Sequence, residues 1–308
     1  MAVFIEYAYI YTYNGFMDKI AFLNKVMGQP CKIISPLVGG MMNELYLFSC
    51  SDKKYLLYIS TEQANEMVDR PLEKQHIDIV NSLGITNKNV YFDASKGIKI
   101  NEYIEGNSLD HIDDFDYDKV ANLLHALHDS GKLSRDDYNP FKRFEGYYKE
   151  ASGFVKEHDH HFLVLKDFLM ENKEFLEKQK KVLAHNDAQR SNIVRGDNGR
   201  YYLIDFEFMA NNDPIYDIAT FGNGDVYEGY RLLKHYYLEP NEEQKQRYFL
   251  WRIYVSLQWY LVALVKHYRG EGEIHHYNFL AVASHFLENA QKAYQGYKNI
   301  GEEDNELC

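Results

Sequence analysis

The sequence is poor in cysteine and in basic residues, and each shortage excludes a class of protein. The three cysteines, Cys31, Cys50 and Cys308, match no metal-binding spacing and no disulfide framework. We therefore predict no disulfide bond and a reducing compartment. The chain has 34 Lys and Arg against 46 Asp and Glu, a formal net charge of −12. Because nucleic-acid binding needs clustered cations, this balance argues against a nucleic-acid partner and favours a small cationic ligand.

Long uninterrupted hydrophobic runs are also lacking. The longest apolar stretch, residues 249–265, contains Arg252, Ser256 and Gln258, which is typical of a buried helix and not of a membrane span. The amino-terminal stretch is apolar but has neither a basic segment nor a small-residue cleavage site, so we predict no signal peptide. Together these features predict a cytoplasmic protein without a membrane partner.

The sequence does contain two regions with different periodicity. From about residue 33 to residue 103, short apolar runs divided by Gly, Asn and Asp predict strands, with one helix over residues 71–83. From Ser108 onward, helical spacing dominates. The predicted fold class is α+β, with a small antiparallel-sheet lobe over residues 1–103 and a larger, mainly helical lobe over residues 104–308. The first thirty residues have no role that the sequence reveals.

One segment combines an acid and an amide on a short loop. VLAHNDAQRSNIVR, residues 182–195, carries His185, Asp187 and Asn192 after an apolar run, and a hairpin with the turn GDNG then leads to Asp205. The hairpin predicts that Asn192 and Asp205 lie side by side, where two oxygen ligands suit Mg²⁺. Asp187 would then orient an incoming hydroxyl or accept its proton. The pattern therefore predicts phosphoryl transfer.

These elements resemble the small-molecule branch of the protein-kinase-like fold, and choline kinases in particular. The resemblance covers roughly residues 33–290. It implies a two-lobed kinase fold and the MgATP-dependent phosphorylation of choline, a small cationic amino-alcohol, to phosphocholine and ADP. Besides the catalytic loop, the matching segments are DFE at 205–207, YDIATF at 216–221, GGMMNELYLF at 39–48, GIKINEYIEGNSL at 97–109 and NEMVDRPLEKQ at 65–75.

The resemblance assigns roles to the residues of the catalytic segment. Asp187 would be the catalytic base or orienting acid, and His185 would brace its loop. Asn192 and Asp205 would hold Mg²⁺. Glu207 would line the same metal and substrate region.

Three further positions in this segment matter. Gln189 matches a position that lines the metal and substrate region of choline kinases. Asp217 would tie the catalytic loop down through backbone N–H groups. Arg190 is a departure, because choline kinases often have an acid or a small residue at that position.

Upstream, the resemblance predicts the residues that bind ATP. The phosphates would be approached by Gly39, Gly40 and Asn43, although a plain hairpin turn is the alternative for the two glycines. Glu73 matches the helix acid of the kinase ion pair. The backbone groups offered to adenine would be those of Glu102, Tyr103 and Ile104.

The choice of substrate depends on aromatic residues, because a quaternary ammonium has no hydrogen to donate and is held by ring faces. Trp251 and Tyr254 lie three residues apart on one predicted helix and match paired aromatics of choline kinases. Tyr216, Phe208 or Tyr277 would close the cage. The alternative is that Trp251 and Tyr254 belong to the apolar face of a long amphipathic helix and simply pack in the core.

One departure from the family pattern is serious. Tyr58 stands on the third strand, where kinases have Lys and choline kinases usually have Arg. Tyrosine cannot supply a positive charge to the phosphates, so another cation, Lys53, Lys54 or Arg70, would have to replace it. If none does, the protein is a nucleotide-weak pseudokinase. Ethanolamine kinase and aminoglycoside phosphotransferase are two further candidate activities, since both use the same loop.

Overall fold

The computed structural model divides the chain into two compact units. The first consists of Met1–Asn107 and Val194–Glu207, and the second of Ser108–Ile193 and Phe208–Cys308. The sequence predicted a single division after residue 103 and did not anticipate that the hairpin after the catalytic loop belongs to the first unit. The structure describes residues 9–12, 15–37, 43–61, 65, 68–272 and 278–301.

A five-stranded antiparallel sheet forms the centre of the first unit. Its strands are β3 (Cys31–Leu37), β4 (Asn43–Cys50), β5 (Lys53–Ser60), β6 (Asn89–Asp93) and β7 (Ile98–Glu102). They lie in the order β3-β4-β5-β7-β6. Alternating apolar residues such as Phe48 and Leu57 are fully buried on one face. The antiparallel sheet of the α+β prediction is confirmed.

The amino-terminal segment contributes a hairpin and a helix to this unit. Strands β1 (Tyr9–Thr12) and β2 (Gly15–Asp18) pair with each other, and helix α1 spans Lys19–Met27. The Asp18 carboxylate caps α1 by accepting hydrogen bonds from two backbone N–H groups. Leu23 of α1 is fully buried in the core cluster of the sheet. This part of the chain is therefore built into the first unit.

Helix α2 (Arg70–Leu83) begins and ends where its flanking residues predict. The Asp69 carboxylate accepts a hydrogen bond from a backbone N–H of the first turn, and Pro71 lies in that turn. Gly84, with a φ of 68°, ends the helix. The sequence placed the start only one residue later. Glu73 lies on the buried face of α2.

A disulfide bond joins Cys31 and Cys50, so the prediction that the chain has none is wrong. The two residues form the terminal pair of the β3–β4 ladder, with their Cα atoms 4.4 Å apart. Sequence spacing could not reveal this pairing, because it depends on strand register. The bond also removes the support that cysteine usage gave to a reducing compartment.

Short strands precede and follow the catalytic loop along the chain. They are β8 (Gly106–Ser108), β9 (Val182–Ala184), β10 (Ile193–Gly196), β11 (Tyr201–Leu203) and β12 (Ala210–Asn212). β9 pairs with β12, and β11, β10 and β8 form a three-stranded sheet, which includes the predicted hairpin. Gly106 is required in β8, because its φ is 156° and a Cβ atom would clash with the carbonyl oxygen of Arg195.

The second unit is mainly helical, as predicted. Its α-helices are α3 (Tyr117–His128), α4 (Pro140–Ala151), α5 (His160–Glu171), α6 (Lys173–Glu177), α7 (Pro214–Phe221), α8 (Val226–Tyr237), α9 (Glu242–Tyr268) and α10 (Phe279–Lys298). Two 3₁₀ turns, Leu109–His111 and Arg190–Asn192, complete the described elements.

Helix α9 is the one described helix that is long and apolar enough to cross a membrane, yet 89% of its apolar window is buried inside the protein. Its buried arginine makes several internal hydrogen bonds, although its Nε has no partner among the described residues. Arg252 donates hydrogen bonds to the carbonyl oxygen of Ala219 and to the side chains of Asn223 and Ser256. The predicted buried helix is confirmed.

Candidate active site

The catalytic loop is fastened by a buried carboxylate. Asp217, in the first turn of α7, is fully buried and accepts hydrogen bonds from the backbone N–H groups of His185 (2.8 Å) and Asn186 (2.6 Å). His128 contacts the same carboxylate at 2.9 Å. Because both oxygens are engaged, the loop cannot shift without breaking charge-assisted hydrogen bonds. The tie through backbone N–H groups is present as predicted.

Asp187 and Asn192 meet on this loop. The side-chain amide of Asn192 donates to the carbonyl oxygen and to Oδ2 of Asp187, each at 2.9 Å. Gln189 donates to the same Oδ2 at 3.3 Å. His185, which is fully buried, accepts a hydrogen bond from the Asp187 backbone N–H at Nδ1, so it braces the loop. Four predicted site residues are thus brought together in the second unit.

Arg190 has a structural role that explains its departure from the family pattern. Its guanidinium donates to the carbonyl oxygens of Leu109 and Ile112 and forms an ion pair with Glu228 at 2.9 Å. It also lies over the ring of Phe115. All of these contacts are within the second unit, and they fix the start of the 3₁₀ turn that carries Asn192.

A cluster of two cations and three carboxylates lies in the first unit. We call it the charged cluster; its members are Arg70, Glu73, Lys99, Asp205 and Glu207. Glu73 Oε1 is 2.7 Å from Lys99 Nζ, and Glu73 Oε2 is 2.6 Å from Arg70 Nη1. Arg70 Nη1 also lies 3.6 Å from Glu207. The predicted helix acid therefore has two cationic partners.

The three carboxylates of the charged cluster differ in the direction in which their pKa values are shifted. Burial together with the neighbouring Asp205 raises the pKa of Glu207, and desolvation by the surrounding protein raises the pKa of Asp205 although that residue is exposed to solvent. Burial opposes ionisation of Glu73 too, but Lys99 and Arg70 together hold its pKa below the usual value. Asp205 and Glu207 therefore remain short of compensating positive charge.

Asn43 connects the charged cluster with the predicted phosphate loop. Its amide donates to Glu207 at 2.8 Å and accepts a hydrogen bond from Ser60 at 3.0 Å. Gly39 and Gly40, which precede it, lie outside the described residues. The position of Asn43 beside a predicted metal ligand is compatible with the phosphate role given to it.

Lys99 is the residue that sequence reasoning missed. It lies on β7 directly opposite Tyr58 of β5, with its Nζ 4.9 Å from the centroid of the tyrosine ring. Of the cations named as replacements, Lys53 is exposed, Lys54 pairs with Glu105, and Arg70 reaches Glu73. Strand alternation in GIKINE indicates only that Lys99 projects from the face opposite Ile98 and Ile100, and nothing in the sequence marks that face as a site.

The hinge residues already use several of their backbone groups. The N–H of Glu102 donates to Lys88 and its carbonyl accepts from Asn87, while the N–H of Tyr103 donates to Lys54. We therefore predict that the carbonyl oxygen of Tyr103 and the backbone groups of Ile104 bind adenine. The backbone groups of Glu102 already have protein partners.

The predicted aromatic cage lies in the core of the second unit. Trp251, Tyr254 and Tyr216 are at most 1% exposed and pack against one another at 5.1–5.8 Å between centroids. Trp251 donates to Asp213, which caps α7, and Tyr254 donates to the carbonyl oxygen of Pro140. These contacts match the core alternative. Substrate contact by these rings stays a prediction, and Tyr277 lies outside the described residues.

A half-buried guanidinium lies beside these rings. Arg143 is 5.0 Å from the ring centroids of both Tyr138 and Phe208. Tyr138 in turn packs on Tyr216 at 5.3 Å. Among the residues that the structure describes, the buried Nε of Arg143 has no hydrogen-bond partner. The predicted cage is thus next to aromatic faces that already hold a cation.

Solved structures share this fold. Choline kinase LicA from Streptococcus pneumoniae matches with a TM-score of 0.70 at 24% identity, covering 91% of this chain and 97% of that one. A choline/ethanolamine kinase family protein from Mesorhizobium loti matches with a TM-score of 0.74 at 17% identity, covering 90% and 92%. Spectinomycin phosphotransferase matches with a TM-score of 0.57 at 16% identity, covering 90% and 97%. The fold is therefore protein-kinase-like.

The fold and the catalytic loop define a phosphotransferase that acts on an alcohol group of a small molecule. Residues 34–287 match the family described as choline/ethanolamine kinase, and the chain belongs to that family. Protein LicA of Haemophilus influenzae is 26% identical over 258 residues, which are 76% of this chain and 74% of that protein. The fold, the family and the enzyme class predicted from the sequence are confirmed.

Proposed function

We propose that the protein transfers the γ-phosphoryl group of MgATP to the hydroxyl of choline, giving phosphocholine and ADP. The observation that carries this proposal is the loop on which Asn192 and Gln189 hold the carboxylate of Asp187, fastened by Asp217. Phosphoryl transfer needs mainly positioning and charge neutralisation, and a carboxylate with a fixed direction supplies the first.

Asp187 orients the acceptor hydroxyl and accepts its proton as the new O–P bond forms. The amide of Asn192 at 2.9 Å restricts the rotation of this carboxylate, and Gln189 holds the same oxygen. A general base contributes when it lies within hydrogen-bond reach of the proton that it removes.

The residues of the charged cluster fit Mg²⁺. Asp205 and Glu207 are hard oxygen donors whose raised pKa values indicate that another cation would stabilise their charged forms. No group of three His, Cys, Asp or Glu that could hold a metal occurs among the described residues. Mg²⁺ needs fewer, because it keeps waters and phosphate oxygens as ligands. When bound, Mg²⁺ supplies charge neutralisation to the phosphates. The family resemblance adds Asn192 as a ligand, which stays a prediction.

Choline as the acceptor is supported by two observations. The relative from Streptococcus pneumoniae is described as a choline kinase, and the net charge of −12 favours a cationic substrate. Ethanolamine is the second candidate, because an ethanolamine kinase from Plasmodium vivax has the same fold, with a TM-score of 0.61 at 21% identity. Against the pseudokinase alternative, Glu73 has two cationic partners despite Tyr58.

An ADP-release assay with MgATP and a panel of alcohols tests the proposal. The panel contains choline, ethanolamine, methylthioribose and kanamycin. We expect the highest kcat/KM with choline, and the same background rate with every alcohol would contradict the proposal. A higher kcat/KM with ethanolamine would transfer the assignment to that substrate.

We also propose a cytoplasmic location, on the ground that MgATP is the phosphoryl donor.

A further inference from the structure

We propose that Lys99 binds the nucleotide phosphates and takes the place of the basic residue that Tyr58 displaces from the third strand of the sheet. The proposal rests on the proposed use of MgATP but not on the identity of the acceptor. Its basis is that a buried lysine on the neighbouring strand reaches the same helix acid, Glu73.

The strand register puts Lys99 beside the position of the missing cation. Tyr58 and Lys99 are direct partners in the β5–β7 ladder. Directly paired residues on antiparallel strands project from the same face of the sheet. A lysine at position 99 therefore enters the same space as a basic residue at position 58 would, displaced by one strand spacing of roughly 5 Å. The ring of Tyr58 packs under the ammonium group.

Neutralising Glu73 does not account for Lys99. Arg70 already pairs with the second carboxylate oxygen of Glu73 at 2.6 Å. Burying a second ammonium or guanidinium group against the same carboxylate carries a desolvation cost that the pairing offsets only in part. Asp205 and Glu207 are the other carboxylates that interact electrostatically with Lys99. Lys99 therefore lies between the helix acid and the predicted metal ligands, where a kinase needs a cation for the α- and β-phosphates.

Of the other cations weighed for this role, the two lysines are exposed and Arg70 belongs to the charged cluster. Lys54 is half exposed and forms an ion pair with Glu105 at 2.8 Å. Lys53 is exposed at the start of β5. Arg70 is held by Asn65 and Glu73, and we assign it the role of positioning Glu73. Arg70 Nη2 is buried without a hydrogen-bond partner among the described residues and can add a donor, but only Lys99 faces the position of Tyr58, so we assign the phosphate contact at that position to Lys99.

Calorimetric titration with MgATP and MgADP, without any acceptor, tests the assignment. Lys99→Met should raise the Kd for both nucleotides about 10- to 100-fold, the loss expected for charge-assisted hydrogen bonds to phosphate. Lys96→Met, which removes an exposed lysine from the turn before β7, is the matched control and should leave both Kd values unchanged. A folded Lys99→Met protein with wild-type Kd values would overturn the assignment.

A second variant keeps the test decisive if Lys99→Met does not fold. The double variant Tyr58→Lys with Lys99→Tyr exchanges the two side chains across the ladder and preserves their combined volume and charge. We expect its Kd for MgATP to lie within about tenfold of wild type. Folded protein that fails to bind MgATP would overturn the proposal. If the wild type binds no MgATP, the proposed function fails as well; if only the Lys99 result is negative, the proposed function stands.

Discussion

The side chain of Asn192 donates two hydrogen bonds to Asp187, one to its carbonyl oxygen and one to its carboxylate, both at 2.9 Å. The amide nitrogen of Asn192 is thereby turned toward the carboxylate of Asp187. Its carbonyl oxygen is then the atom suited to a metal. If Asn192 also binds Mg²⁺, as the family resemblance predicts, one residue fixes the direction of Asp187 and holds the metal.

Replacing Asn192 therefore affects both functions. We expect Asn192→Ala to raise the Mg²⁺ concentration for half-maximal activity at least about tenfold and to lower kcat, because Asp187 loses its fixed direction. A Mg²⁺ titration of the steady-state rate measures the effect. Asn198→Ala, in the exposed turn of the following hairpin, is the control. An unchanged Mg²⁺ dependence in Asn192→Ala would remove this residue from the metal site.

Asp217 links the catalytic loop to the core of the second unit. Asp217→Ala leaves the backbone N–H groups of His185 and Asn186 without their acceptor, so the free energy of unfolding should fall by about 3 kcal/mol. Urea denaturation measures the loss. Asp225→Ala removes an exposed cap of α8 and should cost about 1 kcal/mol. Equal losses in the two variants would contradict the anchoring role of Asp217.

Arg143 offers a test of the aromatic cage. If its guanidinium competes with the ammonium of choline for the aromatic faces, Arg143→Met should lower the KM for choline about three- to tenfold. Steady-state kinetics at saturating MgATP measures this change. Arg135→Met, at an exposed ion pair, is the control. An unchanged KM would show that the rings of Tyr138 and Phe208 do not meet the substrate.

The bond between Cys31 and Cys50 predicts a redox-dependent stability. Reduction, or Cys31→Ser, should lower the free energy of unfolding by about 2–4 kcal/mol, because the denatured chain regains the freedom of the closed loop. Thermal melts with and without dithiothreitol measure the difference. Cys308→Ser is the control. A reductant-insensitive Tm would show that the bond does not form in the purified protein.

Local signals in the sequence were sufficient to predict several elements of the structure. Pro71 and Gly84 marked the limits of α2 to within one residue. The spacing of His185, Asp187 and Asn192 identified a loop whose residues do contact one another, because all of them lie within eight positions of the chain. Contacts between residues that are close in the sequence can be predicted because they depend only on the local backbone conformation.

Contacts that depend on strand register or on helix packing could not be predicted from the sequence. Lys99 lies opposite Tyr58 only because β7 pairs with β5, and Cys31 meets Cys50 only because β3 pairs with β4. No short motif marks either pair. Arg143 lies on a different helix from the rings that the sequence selected, so its place beside them follows from tertiary packing. These residues require the folded structure.

The turnover of Asp187→Asn with MgATP and choline tests the central claim most directly. The substitution preserves the size of the side chain but removes the base, so kcat should fall about 10²- to 10⁴-fold, while the Kd for MgATP stays near that of the wild type. Asp197→Asn, in the exposed hairpin turn, should keep wild-type turnover. Phosphocholine formation by Asp187→Asn at a rate close to that of the wild type would contradict the account.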